Sequence, residues 1–128
     1  MTTLQKVAHV DDDPSIRAVA KVALEKLGKF TLLSCASGEE AIARIPEFAP
    51  DMILLDVMMP GMDGLETLRR LRQLANLDTT PVVFMTAKVQ PREVEDYRAL
   101  GACDVIVKPF DPMQLADQLR SQWTKIHE

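Results

Sequence analysis

Cysteine is scarce in this chain, no apolar run is long, and positive charge is in deficit. Each shortage closes off a class of function. The two cysteines, Cys35 and Cys103, match no metal-ligand spacing and read as plain thiols of a reducing compartment. The apolar runs are far too short to cross a bilayer, and the start MTTLQKVAHV lacks the basic and apolar regions of a signal peptide. A soluble, cytoplasmic protein is expected. A formal net charge of −4 argues against direct nucleic-acid binding, which calls for a basic face. Neither a GxGxxG turn nor a lysine-bearing phosphate loop follows the first apolar run, so a nucleotide or flavin binder has no support. Repeats, low-complexity tracts and linkers are missing too, and one domain is read over residues 1–128.

What is present is a strict alternation of two hydrophobic periods. KVAHV (6–10), FTLLSC (30–35), MILLDV (52–57), PVVFMT (81–86) and CDVIV (103–107) read as strands. Between them lie helical repeats. Asp13 caps the first, Pro14 occupies its first position, and Gly28 is its stop. Its apolar face is Ile16, Val19, Ala20, Ala23, Leu24 and Leu27. Ser37 and Glu40 form a capping box for the second, and Pro46 is expected to terminate it. Leu65, Leu68, Leu71 and Leu74 share a face of the third. Pro91 starts the fourth, which carries Val94, Tyr97 and Leu100 and closes at Gly101. The last begins near Asp111, Pro112 and Gln114 and buries Leu115, Leu119, Trp123 and Ile126. Five strands alternating with five helices imply an α/β fold, with a five-stranded parallel sheet and helices on both faces.

Open parallel sheets bind ligands beyond the carboxyl ends of their strands. The residues due there are Asp11 and Asp12 after the first strand and Asp56 at the end of the third. Thr86 and Ala87 follow the fourth, and Lys108 and Pro109 the fifth. A charged residue in a run as apolar as Met52 to Val57 is costly unless compensated. Three converging carboxylates repel one another, and one lysine cannot neutralise them. All-oxygen ligation with few protein ligands favours Mg²⁺. A cation, a lysine and a hydroxyl around a carboxylate suit phosphoryl chemistry, in which the carboxylate itself can be the nucleophile. Asp56 stands alone on its strand and is read as acceptor; adjacent Asp11 and Asp12 are read as metal holders. Taken singly, DDDPS could be a helix cap in an acidic turn, and Asp56 with Lys108 a structural ion pair. His9 reads as packed or edge-exposed, His127 as part of a frayed terminus, and the methionines of the loop after Asp56 as gap-fillers.

Four motifs in order, VDDD, LLDVMMPGMDG, MTA and VKPF, resemble the receiver domain of two-component response regulators, over essentially the whole chain. The resemblance implies the strand order 2-1-3-4-5, of which a member of this family is a standard example. In that order Cys35 and Cys103 lie on opposite edges, too far apart for a disulfide. It further implies Mg²⁺ held by Asp11, Asp12, Asp56 and the carbonyl of Met58. Asp56 would be phosphorylated from the phosphohistidine of a sensor histidine kinase or histidine phosphotransfer protein. Lys108 would contact the acyl phosphate, with the Lys108–Pro109 bond cis. Thr86 would be the switch hydroxyl, beside the amide of Ala87.

The chain is then an enzyme only toward its own aspartate, promoting its phosphorylation and dephosphorylation. Its output partner is expected at the face of helix four, strand five and helix five, with no output domain in this chain. Many relatives carry Tyr or Phe where Val105 stands here. Any switching is therefore expected to run through Thr86 and the loop Lys88 to Pro91, with Tyr97 a lesser contributor. The rival within the fold is a pseudo-receiver that binds partners unphosphorylated. A phosphatase using an aspartate nucleophile would want a general-acid aspartate where Met58 stands. An EF-hand reading of DVMMPGMDG fails because methionines occupy ligand positions.

Overall fold

A computed structural model describes residues 3–74, 76–87, 91–99 and 101–127, and only the backbone of residues 91–94. The strands are β1 (Lys6–Val10), β2 (Thr31–Cys35), β3 (Met52–Asp56), β4 (Val82–Thr86) and β5 (Ala102–Val107). The helices are α1 (Pro14–Lys21), α2 (Gly38–Phe48), α3 (Gly64–Arg72), α4 (Pro91–Ala99) and α5 (Leu115–Ile126). All strand pairs are parallel, in the order β2-β1-β3-β4-β5. Among the described residues no helix is long and apolar enough to cross a membrane.

Alternation of side chains along each strand divides the core in two. Ala8, Val10, Ile53, Leu55, Val82 and Phe84 join Leu68, Leu71 and Tyr97 on one face of the sheet. Val7, Met52, Leu54, Val83 and Met85 join Ala20, Leu24, Leu115 and Leu119 on the other. β3 and β4 are buried along their whole length, as strands covered on both faces must be. Truncating one of these side chains, for instance Leu54→Ala, should cost about 2–5 kcal/mol.

The helix ends depart from the sequence reading in instructive ways. α1 begins at Pro14 with Asp13 as its cap. It then continues into a π-helical turn, Val22–Leu27, closed by a bond from Gly28 N–H to the Ala23 carbonyl. The widened turn rotates the apolar face. Ala20, Ala23 and Leu24 are buried, Ile16 is half-buried, and Val19 and Leu27, expected inside, are exposed. Gly28 stays right-handed, and the left-handed residue is Lys29 at φ 62°. Glycine is needed at 28 for another reason: a Cβ there would lie 2.9 Å from the Cβ of Ala116 on α5.

Pro46 lies inside α2 and does not end it. So near the C-terminus a proline removes a single helical hydrogen bond, and the helix runs on to Phe48 before Ala49 turns left-handed at φ 53°. Ser37 does cap α2 through the Glu40 amide, but the Glu40 carboxylate reaches back to the Ala36 amide. α5 proper starts at Leu115, after a turn in which Asp111 accepts from the Met113 amide. It buries Leu115 and Leu119, half-buries Trp123 and leaves Ile126 exposed. α4 begins at Pro91 and buries Tyr97, whose ring stands 4.9 Å from that of Phe84. The Val94 side chain, Leu100 and Lys88 to Gln90 lie outside the described residues. Cys35 and Cys103 are free thiols on opposite edge strands.

Candidate functional site

Parallel pairing brings the ends of β1, β3, β4 and β5 level with one another. Val10 pairs with Leu55, Asp56 with Met85, and Thr86 with Val107. Residues one step beyond those pairs must therefore share a rim. Asp11 and Asp56 are both buried there, while Asp12 is exposed. Each of the three offers a carboxylate oxygen, and the three oxygens lie within 4.8 Å of one another. Lys108 enters from the end of β5, its backbone N–H donating to the Thr86 carbonyl at 2.8 Å. Its Nζ lies 2.9 Å from Asp11 Oδ2 and 3.2 Å from Asp56 Oδ1. The Lys108–Pro109 bond is cis, as the resemblance implied.

The hydrogen bonds at Asp56 are lopsided. Oδ1 accepts from the Met58 amide at 3.3 Å and faces Lys108. Oδ2 is buried and accepts no hydrogen bond from any described residue. A buried oxygen left this way costs free energy, so it marks a position made for something besides the protein. Burial and the neighbouring charge of Asp11 push the Asp56 carboxyl from 3.8 up to about 6, against the pull of Lys108. Burial draws the Lys108 ammonium down, but its bond to Asp11 and the charges of Asp56 and Asp11 outweigh this and raise it. Oxygen-only donors, two of them buried without a hydrogen bond from any described residue (Asp56 Oδ2, and Asp11 Oδ2, which only faces the Lys108 ammonium), fit a hard divalent cation such as Mg²⁺.

The other expected residues fall around this centre. Thr86 is buried at the end of β4 and Ala87 is exposed just beyond it. Met58 is 72% exposed, which leaves its side chain at the mouth. An apolar groove of about 370 Å³, lined by Ile16, Val19, Ala87, Lys108, Pro109 and Phe110, opens beside the lysine.

The structure narrows one reading of the sequence, His9 as packed or edge-exposed, and adds one feature that the sequence reading missed. His9 is fully buried, with neither ring nitrogen bonded to any described residue. Burial lowers its pKa to about 4 despite the charge of Asp11, so it is a neutral wall at neutral pH. Its place in an alternating strand was the available signal. Gly64, the first residue of α3, sits against the backbone of Asp56 and donates its N–H to the Val57 carbonyl at 2.9 Å. Asp63 caps that helix through the Glu66 amide. The signal here was the triplet Asp63-Gly64-Leu65, a cap followed by a residue small enough for close approach.

Residues 7–120 match the family model described as the response regulator receiver domain. The chain belongs to that family. Receiver domains work with histidine kinases in two-component signal transduction, and the pocket of Asp11, Asp12 and Asp56 is consistent with a phosphoacceptor switch. The DNA-binding response regulator MtrA of Mycolicibacterium smegmatis is 35% identical over 121 residues, 94% of this chain and 51% of the relative. The chain thus spans about half the length of the curated relatives it matches. The chemotaxis protein CheY4 of Vibrio cholerae matches this receiver at 33% identity and a TM-score of 0.87, covering 93% of this chain and 98% of that one. A BeF3-activated DrrB receiver domain matches at 27% identity and a TM-score of 0.79, covering 95% and 99%.

Proposed function

We propose that this receiver is a phosphoacceptor switch in which Asp56 takes a phosphoryl group from a partner's phosphohistidine. The observation that carries the reading is the Asp56 carboxylate itself: buried, held on one oxygen by Lys108 and the Met58 amide, and without a hydrogen bond from any described residue on the other. Oδ2 is the nucleophile. A P–O bond forms as the P–N bond of the phosphohistidine breaks, and the imidazole nitrogen keeps the electron pair. Lys108, already between Asp11 and Asp56, is poised to meet a phosphoryl oxygen. Asp11, Asp12, Asp56 and the carbonyl of Met58 are the ligand set we assign to Mg²⁺. When bound, the ion neutralises the carboxylates and the incoming phosphoryl charge.

Phosphorylation adds about −1.5 to −2 charges at neutral pH. That charge shifts a conformational equilibrium only if one state binds it better than another. We assign the discriminating contacts to the Thr86 hydroxyl, the Ala87 amide and Lys108. The output surface is assigned to α4, β5 and α5, recognised by a second protein. The test is incubation with Mg²⁺ and acetyl phosphate followed by intact mass measurement. One added phosphoryl group, absent from Asp56→Asn, supports the switch; no gain with any donor tried would leave a binding module.

A further inference from the structure

We propose that Arg17 is a positioning residue for the cation site, the tie that holds Asp12 in place. The proposal rests on the reading of Asp11, Asp12 and Asp56 as a Mg²⁺ site. Asp12 is the exposed member of that set, and no other described residue bonds its carboxylate. The backbone, and hence its two neighbours, therefore sets the point from which this carboxylate reaches the site.

Both neighbours are tied to α1. Asp13 caps the helix, its Oδ1 accepting from the Ser15 amide at 2.8 Å, and its own amide donates to Asp11 Oδ1 at 2.9 Å. Arg17 closes the circuit twice. Its backbone N–H donates to the Asp13 carbonyl at 3.0 Å, and its Nη1 donates to the Asp11 carbonyl at 2.8 Å. On the other side, the Asp11 amide is bound to the Cys35 carbonyl of β2. Residues 11–13 are thus clamped between a sheet edge and the first turn of a helix, with a charge-assisted bond from a half-buried guanidinium. The guanidinium is spent on a carbonyl and leaves the carboxylate oxygens free, so it shapes the site without competing for its ligands. Groups that orient metal ligands in this way commonly change affinity by about 10–100-fold when removed.

The test compares the full chain with Arg17→Ala and Arg17→Lys. Calorimetric titration with MgCl₂ should show a Kd about tenfold higher for Arg17→Ala, largely recovered by Arg17→Lys. In metal-free buffer, exchange of the Asp13 amide should quicken in the alanine variant while the β3 amides stay protected. With acetyl phosphate, the Mg²⁺ concentration giving half-maximal rate should rise, and the rate at saturating Mg²⁺ should stay within about twofold. Should Arg17→Ala fail to fold, Arg17→Gln keeps part of the stem without the guanidinium and carries the same expectation. A Mg²⁺ Kd within about twofold of the parent in the folded variants would overturn this inference alone. A parent that binds Mg²⁺ yet takes no phosphoryl group would overturn the proposed function alone. A parent that binds no Mg²⁺ would overturn both.

Discussion

Lys108 lies nearer to Asp11 than to Asp56, its Nζ at 2.9 Å from one carboxylate and 3.2 Å from the other. One ammonium therefore serves two carboxylates whose side chains are 0% and 2% exposed. Removing one partner from a buried ion pair costs about 3–5 kcal/mol, because the charge left behind stays desolvated. Lys108→Met should lose about that much in metal-free buffer at pH 7, measured by urea unfolding. A loss under about 1 kcal/mol would mean that the lysine does not hold the pair.

The raised Asp56 carboxyl sets the sign of a pH effect. Its pKa is 3.8 as a free group and about 6 in the fold, so the folded state holds the proton more tightly. Native stability from this group is greatest below about pH 4 and falls as pH rises through 6. The gap between the two values corresponds to about 3 kcal/mol. Asp56→Asn should therefore match the parent near pH 4 and exceed it by about 3 kcal/mol at pH 7 without metal. A difference that does not vary with pH would refute the assignment.

Asp12 should separate stability from cation binding. It is exposed and bonded to no other described residue, so Asp12→Asn should change metal-free stability by less than about 0.5 kcal/mol. A ligand at 100 times its Kd stabilises by about 2.7 kcal/mol. Mg²⁺ at that excess should raise the parent's melting temperature and raise that of Asp12→Asn distinctly less at the same concentration. Equal shifts in the two proteins would remove Asp12 from the ligand set.

Gly64→Ala offers a test in which two effects oppose. Helix propensity alone favours alanine by about 1 kcal/mol. An added Cβ would lie 2.3 Å from the Asp56 carbonyl oxygen and 2.8 Å from the Val57 Cα, a backbone clash that no rotamer relieves. The clash should win, destabilising by about 1–3 kcal/mol and slowing modification of Asp56. A variant as stable as the parent would show that α3 moves away freely.

The sheet and the residues at its carboxyl rim were legible in the sequence to different depths. Strand cores were read within a residue at each end, since a run such as Met52 to Leu55 admits few alternatives when flanked by turn residues. Helix ends were harder. Pro46 was expected to stop α2 and does not, because a late proline removes only one bond. Leu27 was placed inside and lies outside, because the π-helical turn rotates a face that periodicity assumes to be regular. The convergence of Asp11, Asp12, Asp56 and Lys108 was legible because strand-end position depends on little more than element order.

The sequence by itself determined the class, the alternation of strands and helices, and which residues sit at the carboxyl rim. Apolar period and cap residues are local, and order along the chain carries them to the sheet. Only the tertiary structure decided that one lysine is shared unequally by two acids, that one Asp56 oxygen is buried without a bond from any described residue, that His9 is enclosed, and that Arg17 reaches back to Asp11. Those facts depend on register between strands and on the reach of individual side chains, which distant segments fix together and no local pattern encodes.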